Sequence, residues 1–414
     1  MSDESLLCTH FSDNMVYIKI NILKIHKMNI FRTISQSIQQ AAQEYPVVTI
    51  VGPRQVGKTT LVRALFSKRP YVNLEDPDVR EFALNDPRRF IHQFTEGVVI
   101  DEIQHAPILL SYIQVIVDES KRHGQFILTG SQQLDLHAAV SQSLAGRTAI
   151  ISMLPLSIEE LSAQKINLSV DEYLLTGFLP RVYANQLDPK HVYRDYVMTY
   201  LERDVRNMTK VHDLALFQKF LRLCAGRVGQ VLNQSGLANE VGVSNTTIQH
   251  WLSILEASYI IFRLQPYYEN FGKRMIKSPK LYFFDVGLVS FLLGIETTQQ
   301  MSRDPLRGNL FENMVVLELM KMRMNQSLAP NLYYYRDSHH NEIDLIYKKA
   351  HELIPIEIKS SESFDKSFVK RLKYFQQLAS DKVPTGYVIY AGELEYSVNG
   401  FELCNYKNGK RIVE

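Results

Sequence analysis

The first part of the chain alternates short apolar runs with longer segments of mixed polarity. The short runs predict buried strands at Val47–Val51, Tyr71–Leu74, Val98–Asp101, Phe126–Thr129 and Thr148–Met153. The longer segments predict helices near residues 58–67, 87–94, 108–121 and 135–145. This alternation is typical of an α/β domain with a parallel sheet and right-handed crossovers. We therefore expect functional side chains at the carboxyl ends of these strands.

A different pattern, from residue 233 to residue 262, predicts a helix-turn-helix. Leu237–Val241 forms a short first helix, Gly242 is the turn, and Ser244 caps a second helix over Asn245–Ala257. The stretch from 260 to 284 then predicts a β-wing with basic residues near its tip. This is the architecture of a winged helix-turn-helix.

In a DNA-binding module of this kind, the start of the second helix enters the major groove. The polar side chains expected to face outward there are Asn245, Thr246, Gln249 and His250, and the basic wing residues are Lys273 and Arg274. They could contact bases or phosphates. Packing against protein is an open alternative, because the second helix carries neither lysine nor arginine.

The last hundred residues or so bring together acidic side chains and one lysine. Glu312 lies in the first half of a predicted amphipathic helix that starts at Gly308. Asp344 ends the run N-E-I-D, and Glu357 and Lys359 belong to the run I-P-I-E-I-K in the second strand of a predicted hairpin. Residues two apart on a strand share a face, so Glu357 and Lys359 should lie together, with Asp344 opposite.

Such carboxylates could hold a divalent ion while the lysine positions water. Glu342, two residues before Asp344, could substitute as a ligand, and His339 and His340 are expected to be loop residues.

The most informative motif follows the first strand and reads Gly52-x-x-x-x-Gly57-Lys58-Thr59. A strand, a glycine-rich loop and a helix in this order bind phosphate, because backbone N–H groups and the helix N-terminus face the anion. Lys58 would reach the β- and γ-phosphates, and the Thr59 hydroxyl would coordinate Mg²⁺. The predicted nucleotide-binding residues are Gly52, Pro53, Arg54, Gln55, Val56, Gly57, Lys58, Thr59 and Thr60.

Two acids end the third predicted strand. Asp101 would complete the Mg²⁺ shell, and Glu102 would polarise the attacking water. Thr129 or Ser131, at the tip of the next strand, could sense the γ-phosphate. Arg147, before the fifth strand, is a candidate arginine finger, a side chain that reaches the γ-phosphate bound to a neighbouring subunit.

Composition limits the class of protein. The chain has 414 residues with a formal net charge of +2, which indicates several domains and no strongly basic surface overall. Basic residues are nevertheless in excess in the middle of the chain, which is a modest indication of a polyanionic partner. Its three cysteines, Cys8, Cys224 and Cys404, are too far apart for a zinc ribbon or a disulfide scaffold.

No segment reads as a signal peptide or a membrane span, so we expect a cytoplasmic, soluble protein. Residues 1–27 lie outside the alternating pattern that begins near Met28. We expect either that Met28 is the natural start or that this leader is poorly ordered.

Taken together, these motifs resemble a prokaryotic branch of the AAA-family ATPases. The segments that carry the resemblance are Gly52–Thr60, Val98–Gln104, Ile127–Gln132, Ala145–Leu161, Gly177–Tyr183 and Tyr200–Val205. The resemblance implies ATP rather than GTP, a helical lid, and homo-oligomers that share active sites across interfaces. Arg203 could then be a nucleotide sensor on the lid. The order helical Glu, Asp and Glu-x-Lys similarly resembles the PD-(D/E)XK nuclease superfamily.

The resulting domain prediction is an ATPase core at 28–155, a helical lid at 156–215, a winged helix at 216–299 and a nuclease-like domain at 300–414. Two functions are open. The first is an ATP-fuelled enzyme that acts on DNA, with a tail that binds or cleaves it. The second is an ATP-dependent oligomeric switch whose rear domains recruit a protein and cleave nothing.

Overall fold

Five strands form the first sheet: β1 Val47–Val51, β2 Tyr71–Asn73, β3 Val98–Asp101, β4 Phe126–Gly130 and β5 Thr148–Ser152. They are all parallel, in the order β2-β3-β4-β1-β5. The central strand β1 is buried along its whole length, as is usual for a parallel strand between layers of helices. The structure, a computed structural model, describes residues 30–131, 143–201, 214–268 and 276–413. The predicted P-loop AAA-type α/β sheet is confirmed.

The helices of this domain are α1 Ser35–Glu44, α2 Lys58–Leu65, α3 Pro77–Asn85, α4 Pro87–His92 and α5 Leu109–Ser120. Helix α3 was not predicted, although its local signal is clear. Asp76 accepts hydrogen bonds from two backbone N–H groups of its first turn, and Pro77 begins the helix. The predicted helix at 135–145 falls mainly on residues 132–142, which lie outside the described residues.

The middle of the chain is mostly helical, with one small sheet. Its helices are α6 Ile158–Ala163, α7 Val170–Thr176, α8 Pro180–Ala184, α9 Pro189–Tyr196, α10 Leu214–Ala225, α11 Gln234–Val241, α12 Asn245–Ala257 and α13 Val286–Leu293. A π-helical turn, Val197–Leu201, follows α9. The strands β6 Gln230–Val231, β7 Ile261–Leu264 and β8 Lys280–Phe283 pair antiparallel in the order β6-β8-β7. Helix α13 packs on α7, α9 and α10. The helix that follows the small sheet in the chain therefore shares one hydrophobic core with helices that precede it.

The C-terminal part is a mixed six-stranded sheet with helices. It contains α14 Thr298–Arg303, α15 Arg307–Met324, β9 Leu332–Arg336, β10 Glu342–Lys349, β11 Glu352–Lys359, α16 Lys370–Ala379, β12 Tyr387–Tyr390, β13 Ser397–Val398, β14 Phe401–Asn405 and α17 Lys410–Val413. The sheet order is β13-β14-β12-β11-β10-β9. Strands β10 and β11 form the predicted hairpin, with Leu345 opposite Ile356.

Helix α15 differs from its prediction. The sequence predicts an amphipathic helix, but α15 is buried on nearly all faces because it lies between the C-terminal sheet and helices α7 and α13. Its polar residues find partners inside the protein. The Asn313 side-chain amide, for example, donates to and accepts from the backbone of Phe283 at 2.8 Å.

None of the helices in the described part of the chain has the length and apolar character that a bilayer crossing requires. Several predicted positions lie outside the described residues: the leader 1–27, Arg203, Lys273 and Arg274.

Candidate functional site

The loop between β1 and α2 turns through conformations that glycine adopts at no cost. Gly52 has φ +147°, and a Cβ at this position would collide with the carbonyl oxygen of Met153. Gly57 has φ +91° and caps α2. The loop therefore ends at a helix N-terminus, where free N–H groups favour an anion. All nine predicted residues, 52–60, belong to this loop and the first turn of α2.

Lys58 points back into the loop. Its Nζ donates hydrogen bonds of 2.8 Å to the carbonyl oxygens of Gly52 and Pro53, and the side chain is buried. Burial, opposed by the nearby Glu102 carboxylate, lowers the pKa of Lys58 to about 8. The two carbonyl groups bind the ammonium inside the loop. In a nucleotide complex, phosphate oxygens could take the place of these carbonyl oxygens.

Asp101, at the end of β3, accepts hydrogen bonds from three hydroxyl groups. Thr59 Oγ1 donates to its Oδ2 at 2.8 Å, and the Tyr71 hydroxyl donates to the same oxygen at 2.6 Å. Thr129 donates to Oδ1. Burial, together with the hydrogen bond to Asp101, raises the pKa of Tyr71 far above its usual value. Asp101 and Thr59 thus place hard oxygen atoms side by side at the helix start, the ligand type that Mg²⁺ prefers.

Glu102 follows in a left-handed conformation, with φ +56°. Its backbone N–H donates to Thr129 Oγ1 at 3.2 Å, and its Oε2 accepts from Ser131 Oγ at 3.1 Å and from the Gln104 amide. Burial opposes ionisation, but the Lys58 ammonium and these hydrogen bonds outweigh it and lower the pKa of Glu102. Glu102 is therefore an ionised, oriented carboxylate beside the phosphate loop.

Arg147 lies at the amino-terminal ends of the strands, whereas the phosphate loop lies at their carboxyl ends. Its carbonyl oxygen accepts from the N–H of Val47, at the amino end of β1, whereas the phosphate loop follows the carboxyl end. The five residues of β1, about 16 Å of strand, separate these two ends. The guanidinium pairs with Asp118, at 2.6 Å and 2.8 Å, and both side chains are partly exposed. Arg147 therefore cannot serve the loop of its own chain.

Arg32 was not singled out from the sequence. Its buried guanidinium donates to the carbonyl oxygens of Val56, at 2.8 Å, and Leu154, at 2.5 Å, and pairs with Glu160 at 3.2 Å. Glu160 also accepts from the backbone N–H of Ser157, within a capping box at the start of α6. Arg32 thus links the phosphate loop, at Val56, to Leu154 and Glu160 in the segment that follows β5. The S-x-x-E capping signature is the one local signal that could have pointed to Glu160.

A small recess with a cavity volume of about 10 Å³, room for roughly one water molecule, opens beside Pro53 of the loop. Its lining residues are Pro53, Pro155, Leu179, Tyr193, Tyr196, Tyr259, Ile260, Phe284, Asp285 and Leu288. Within this set Asp285 carries a carboxylate, which is occupied by bonds from the Tyr193 hydroxyl at 2.6 Å and the Phe178 N–H at 2.9 Å. The walls of the recess are mainly apolar.

The predicted C-terminal residues meet on the β10–β11 hairpin. Lys359 Nζ lies 3.1 Å from Asp344 Oδ2 and 2.7 Å from Glu357 Oε2, and Arg371 of α16 is about 4 Å from both carboxylates. The backbone N–H of Ile358 also donates to Asp344. Burial and the Asp344 charge raise the pKa of Glu357 to about 8. Glu357 Oε1 is buried without a hydrogen-bond partner.

Glu312 is engaged by a different set of partners. Its Oε1 accepts from Lys280 Nζ at 2.9 Å and from the Tyr282 hydroxyl at 2.5 Å. Lys280 Nζ is also 2.6 Å from Glu342 Oε1. In the described part of the chain, no group of three or more Asp, Glu, His or Cys side chains converges as a metal site would require. In this arrangement the carboxylates of the C-terminal domain do not fit a divalent ion.

In the segment predicted as a helix-turn-helix, α12 begins at Asn245 and is capped by Ser244, whose side chain accepts from the Thr247 N–H. Asn245, Thr246 and Gln249 are exposed on its first turns, whereas Ile248 is buried. The polar face expected for contact with a partner is therefore accessible.

Three family models match successive parts of the chain. A model described as an AAA domain matches residues 44–162. A domain of unknown function, DUF8612, matches residues 167–299, and a second one, DUF4143, matches residues 307–408.

The chain is also similar to individual proteins. An uncharacterized protein of Mycobacterium tuberculosis is 31% identical over 332 residues, covering 79% of this chain and 73% of that protein. An uncharacterized protein of Haemophilus influenzae is 24% identical over 292 residues, covering 64% and 69%. Among solved structures, a Walker-type ATPase of Pyrococcus abyssi is similar with a TM-score of 0.44 and 16% identity, covering 63% of this chain and 94% of that one.

Proposed function

This chain belongs to the same family as the uncharacterized Mycobacterium tuberculosis protein and contains a segment that matches an AAA domain, and from that premise we propose that it is a Mg²⁺-dependent ATP hydrolase. The observation that carries the proposal is the convergence of one cation, one hydroxyl and two acids at the phosphate loop. These groups are Lys58, Thr59, Asp101 and Glu102, which hydrogen bonds and charge interactions link into one site.

Each group has a separate role in the proposed reaction. Lys58 exchanges the carbonyl groups of Gly52 and Pro53 for the β- and γ-phosphate oxygens. Thr59 and Asp101 would hold Mg²⁺, which neutralises phosphate charge when bound. Glu102 accepts a hydrogen bond from the attacking water and orients it, because its carboxylate is ionised and held by Ser131 and Gln104.

ATP rather than GTP is the nucleotide that we propose. The support is the AAA-domain model that matches residues 44–162. The Asp285 carboxylate near Pro53 is not free to accept from a guanine base, because Tyr193 and backbone N–H groups occupy it.

The test is Glu102→Gln, which keeps the shape of the side chain and removes its charge. We expect nucleotide binding to be retained and kcat for ATP hydrolysis to fall by at least about 100-fold. Binding would be followed with a fluorescent ATP analogue, and turnover by phosphate release. Lys58→Ala should lose binding as well as turnover.

The matched control is Glu96→Gln, which makes the same chemical change at an acid of the same domain that is 84% exposed. It should hydrolyse ATP like the wild type. Normal turnover in Glu102→Gln, with Lys58→Ala inactive, would contradict the role given to Glu102.

Duplex DNA is the partner that we propose. The support is the accessible polar face of α12, where Asn245, Thr246 and Gln249 are exposed at the amino end of the second helix. We also propose a homo-oligomer. The support is Arg147, which is partly exposed at the amino-terminal end of the strands, away from the phosphate loop of its own chain.

A further inference from the structure

Arg32 precedes the first helix and yet reaches the phosphate loop. Its guanidinium is 5% exposed and donates to the carbonyl oxygen of Val56 at 2.8 Å. The same group donates to the carbonyl oxygen of Leu154 and pairs with Glu160. A guanidinium is planar and holds several acceptors in a fixed arrangement. The position of the Val56 carbonyl group is therefore set by residues that lie outside the loop.

The backbone on both sides of Val56 is left-handed. Gln55 before it has φ +63°, and Gly57 after it has φ +91°. This conformation is strained for a residue with a Cβ, such as Gln55, and it persists only where the surrounding structure holds it. The Val56 side chain is fully buried among residues of α1, α2 and the sheet. Packing therefore holds the side chain of Val56, and Arg32 holds its carbonyl group.

These contacts fix the direction of the next backbone N–H group. The Val56–Gly57 peptide is trans, and the C=O and N–H of a trans peptide point in opposite directions. Because the Val56 carbonyl group points into the protein, toward Arg32, the Gly57 N–H points away from the buried core. Gly57 caps α2, whose first N–H groups lack partners within the helix and can bind an anion.

We propose that Arg32 is a positioning residue of the nucleotide site, which orients the Gly57 N–H toward the β-phosphate. This role rests on the proposed binding of a nucleotide at the phosphate loop. Lys58 contributes positive charge to the site, whereas Arg32 acts through the backbone. Without the guanidinium, the Val56–Gly57 peptide can rotate, and the loop then loses a hydrogen bond to the phosphate. The glycines of the loop permit the required conformation, and Arg32 selects it.

The test compares two proteins that differ only at Arg32. Both carry Glu160→Gln, so that removing the arginine leaves no buried carboxylate unpaired, and one of them also carries Arg32→Met. The affinity for a fluorescent ATP analogue should be at least about tenfold lower in the protein without Arg32. It is measured at a temperature at which circular dichroism shows both proteins to be folded.

Steady-state kinetics separates this role from a general loss of structure. KM for ATP should rise in parallel with the dissociation constant, whereas kcat at saturating ATP should change by less than about threefold. The reason is that a hydrogen bond to the β-phosphate forms in the bound substrate and is kept in the transition state. A kcat that falls by as much as the affinity, with KM unchanged, would overturn the proposal.

Arg122→Met, in the same Glu160→Gln background, is the matched control. It removes an arginine of the same domain that is 58% exposed and pairs with Glu96, and it should bind the analogue like the background protein. If the wild type binds the analogue, equal affinity with and without Arg32 would overturn the role of Arg32 alone. A wild-type protein that binds no analogue would overturn the proposed function and this role with it.

A second measurement applies if the protein without Arg32 does not fold. In the wild-type protein labelled with nitrogen-15 glycine, the amide signal of Gly57 is identified by its loss in Gly57→Ala. Its proton resonance should move downfield when ADP binds, because the N–H then donates to a charged phosphate oxygen. A Gly57 amide resonance that stays in place while ADP binds would overturn the proposal.

Discussion

At the residue scale, Lys58 has an unusual protonation equilibrium. Burial lowers its pKa to about 8 in the nucleotide-free protein, from an ordinary value of 10.5. Phosphate groups bind the protonated form, so nucleotide binding takes up a proton whenever the pH exceeds about 8. The nucleotide affinity should therefore fall as the pH rises above this value, whereas at pH 7 it should hardly depend on the pH.

We expect the dissociation constant for an ATP analogue to rise by up to about tenfold per pH unit between pH 8.5 and pH 10. The measurement is fluorescence-detected binding across this range. Lys58→Arg is the matched control, because arginine stays charged throughout. Its affinity should be weaker or equal but nearly independent of pH. An equally steep dependence in Lys58→Arg would mean that another group is titrating.

Single residues also show where sequence patterns are insufficient. Lys280 belongs to the basic middle of the chain, whose excess of positive charge is a modest indication of a polyanionic partner. In the structure it is buried between carboxylates of another domain. Arg32 belongs to no motif recognised in the sequence, but its guanidinium bonds to the carbonyl oxygen of Val56 in the phosphate loop. Neither partner set is nearby in sequence, so no local pattern could reveal it.

At the scale of elements, helix α12 carries the proposed DNA contact. Its bounds, Asn245–Ala257, agree with the prediction, because the Ser244 cap and the spacing of apolar residues are both local signals. Its exposed polar residues make a specific prediction. Replacing Asn245 by Asp and Gln249 by Glu would set two negative charges facing the phosphates without changing side-chain size.

The affinity of this double variant for a DNA duplex should fall by at least about tenfold at low salt, and the loss should shrink as salt is added. Fluorescence anisotropy over a KCl series measures it. An acid in the first turn favours the helix, so unfolding of α12 would not explain the loss. Gln299→Glu, the same change on exposed α14, is the control. Equal losses in both proteins, or wild-type binding without salt dependence, would argue against DNA contact by α12.

Helix α15 shows the opposite outcome for an element. Its existence was predicted, but its complete burial was not, because its polar residues read as a solvent-facing stripe. Glu318 and Lys321 pair at 2.8 Å inside the protein and also bond the backbone of Ile158 and Leu156. Polar side chains can be buried when such partners are present. The partners come from the segment that follows the first sheet, about 160 residues earlier.

At the scale of the whole molecule, the position of Arg147 predicts shared active sites. Arg147→Ala should lower kcat by about 1,000-fold while its own phosphate loop stays intact. Mixing it with inactive Lys58→Ala, which still carries Arg147, should restore activity above the sum of the two proteins. The recovered sites would combine a loop from one chain with an arginine from its neighbour. Steady-state hydrolysis after mixing measures this recovery.

A second mixture provides the control. Lys58→Ala and Glu102→Gln both damage the site on their own chain, so their mixture should stay inactive. Activity in that mixture would mean that the assignment of these groups to one chain is wrong. If Arg147→Ala gains nothing from Lys58→Ala, its role across an interface would be excluded.

The sequence by itself determined the phosphate loop, the acid pair at Asp101 and Glu102, and the meeting of Asp344 with Glu357. Each depends on short-range geometry: a loop between one strand and one helix, the shared edge of a parallel sheet, or a hairpin with a short turn. Only the tertiary structure decided that Arg32 bonds to the phosphate loop and that Lys280 pairs with Glu312 and Glu342. Those contacts join elements far apart in the chain, and no periodicity encodes which buried charge will face which.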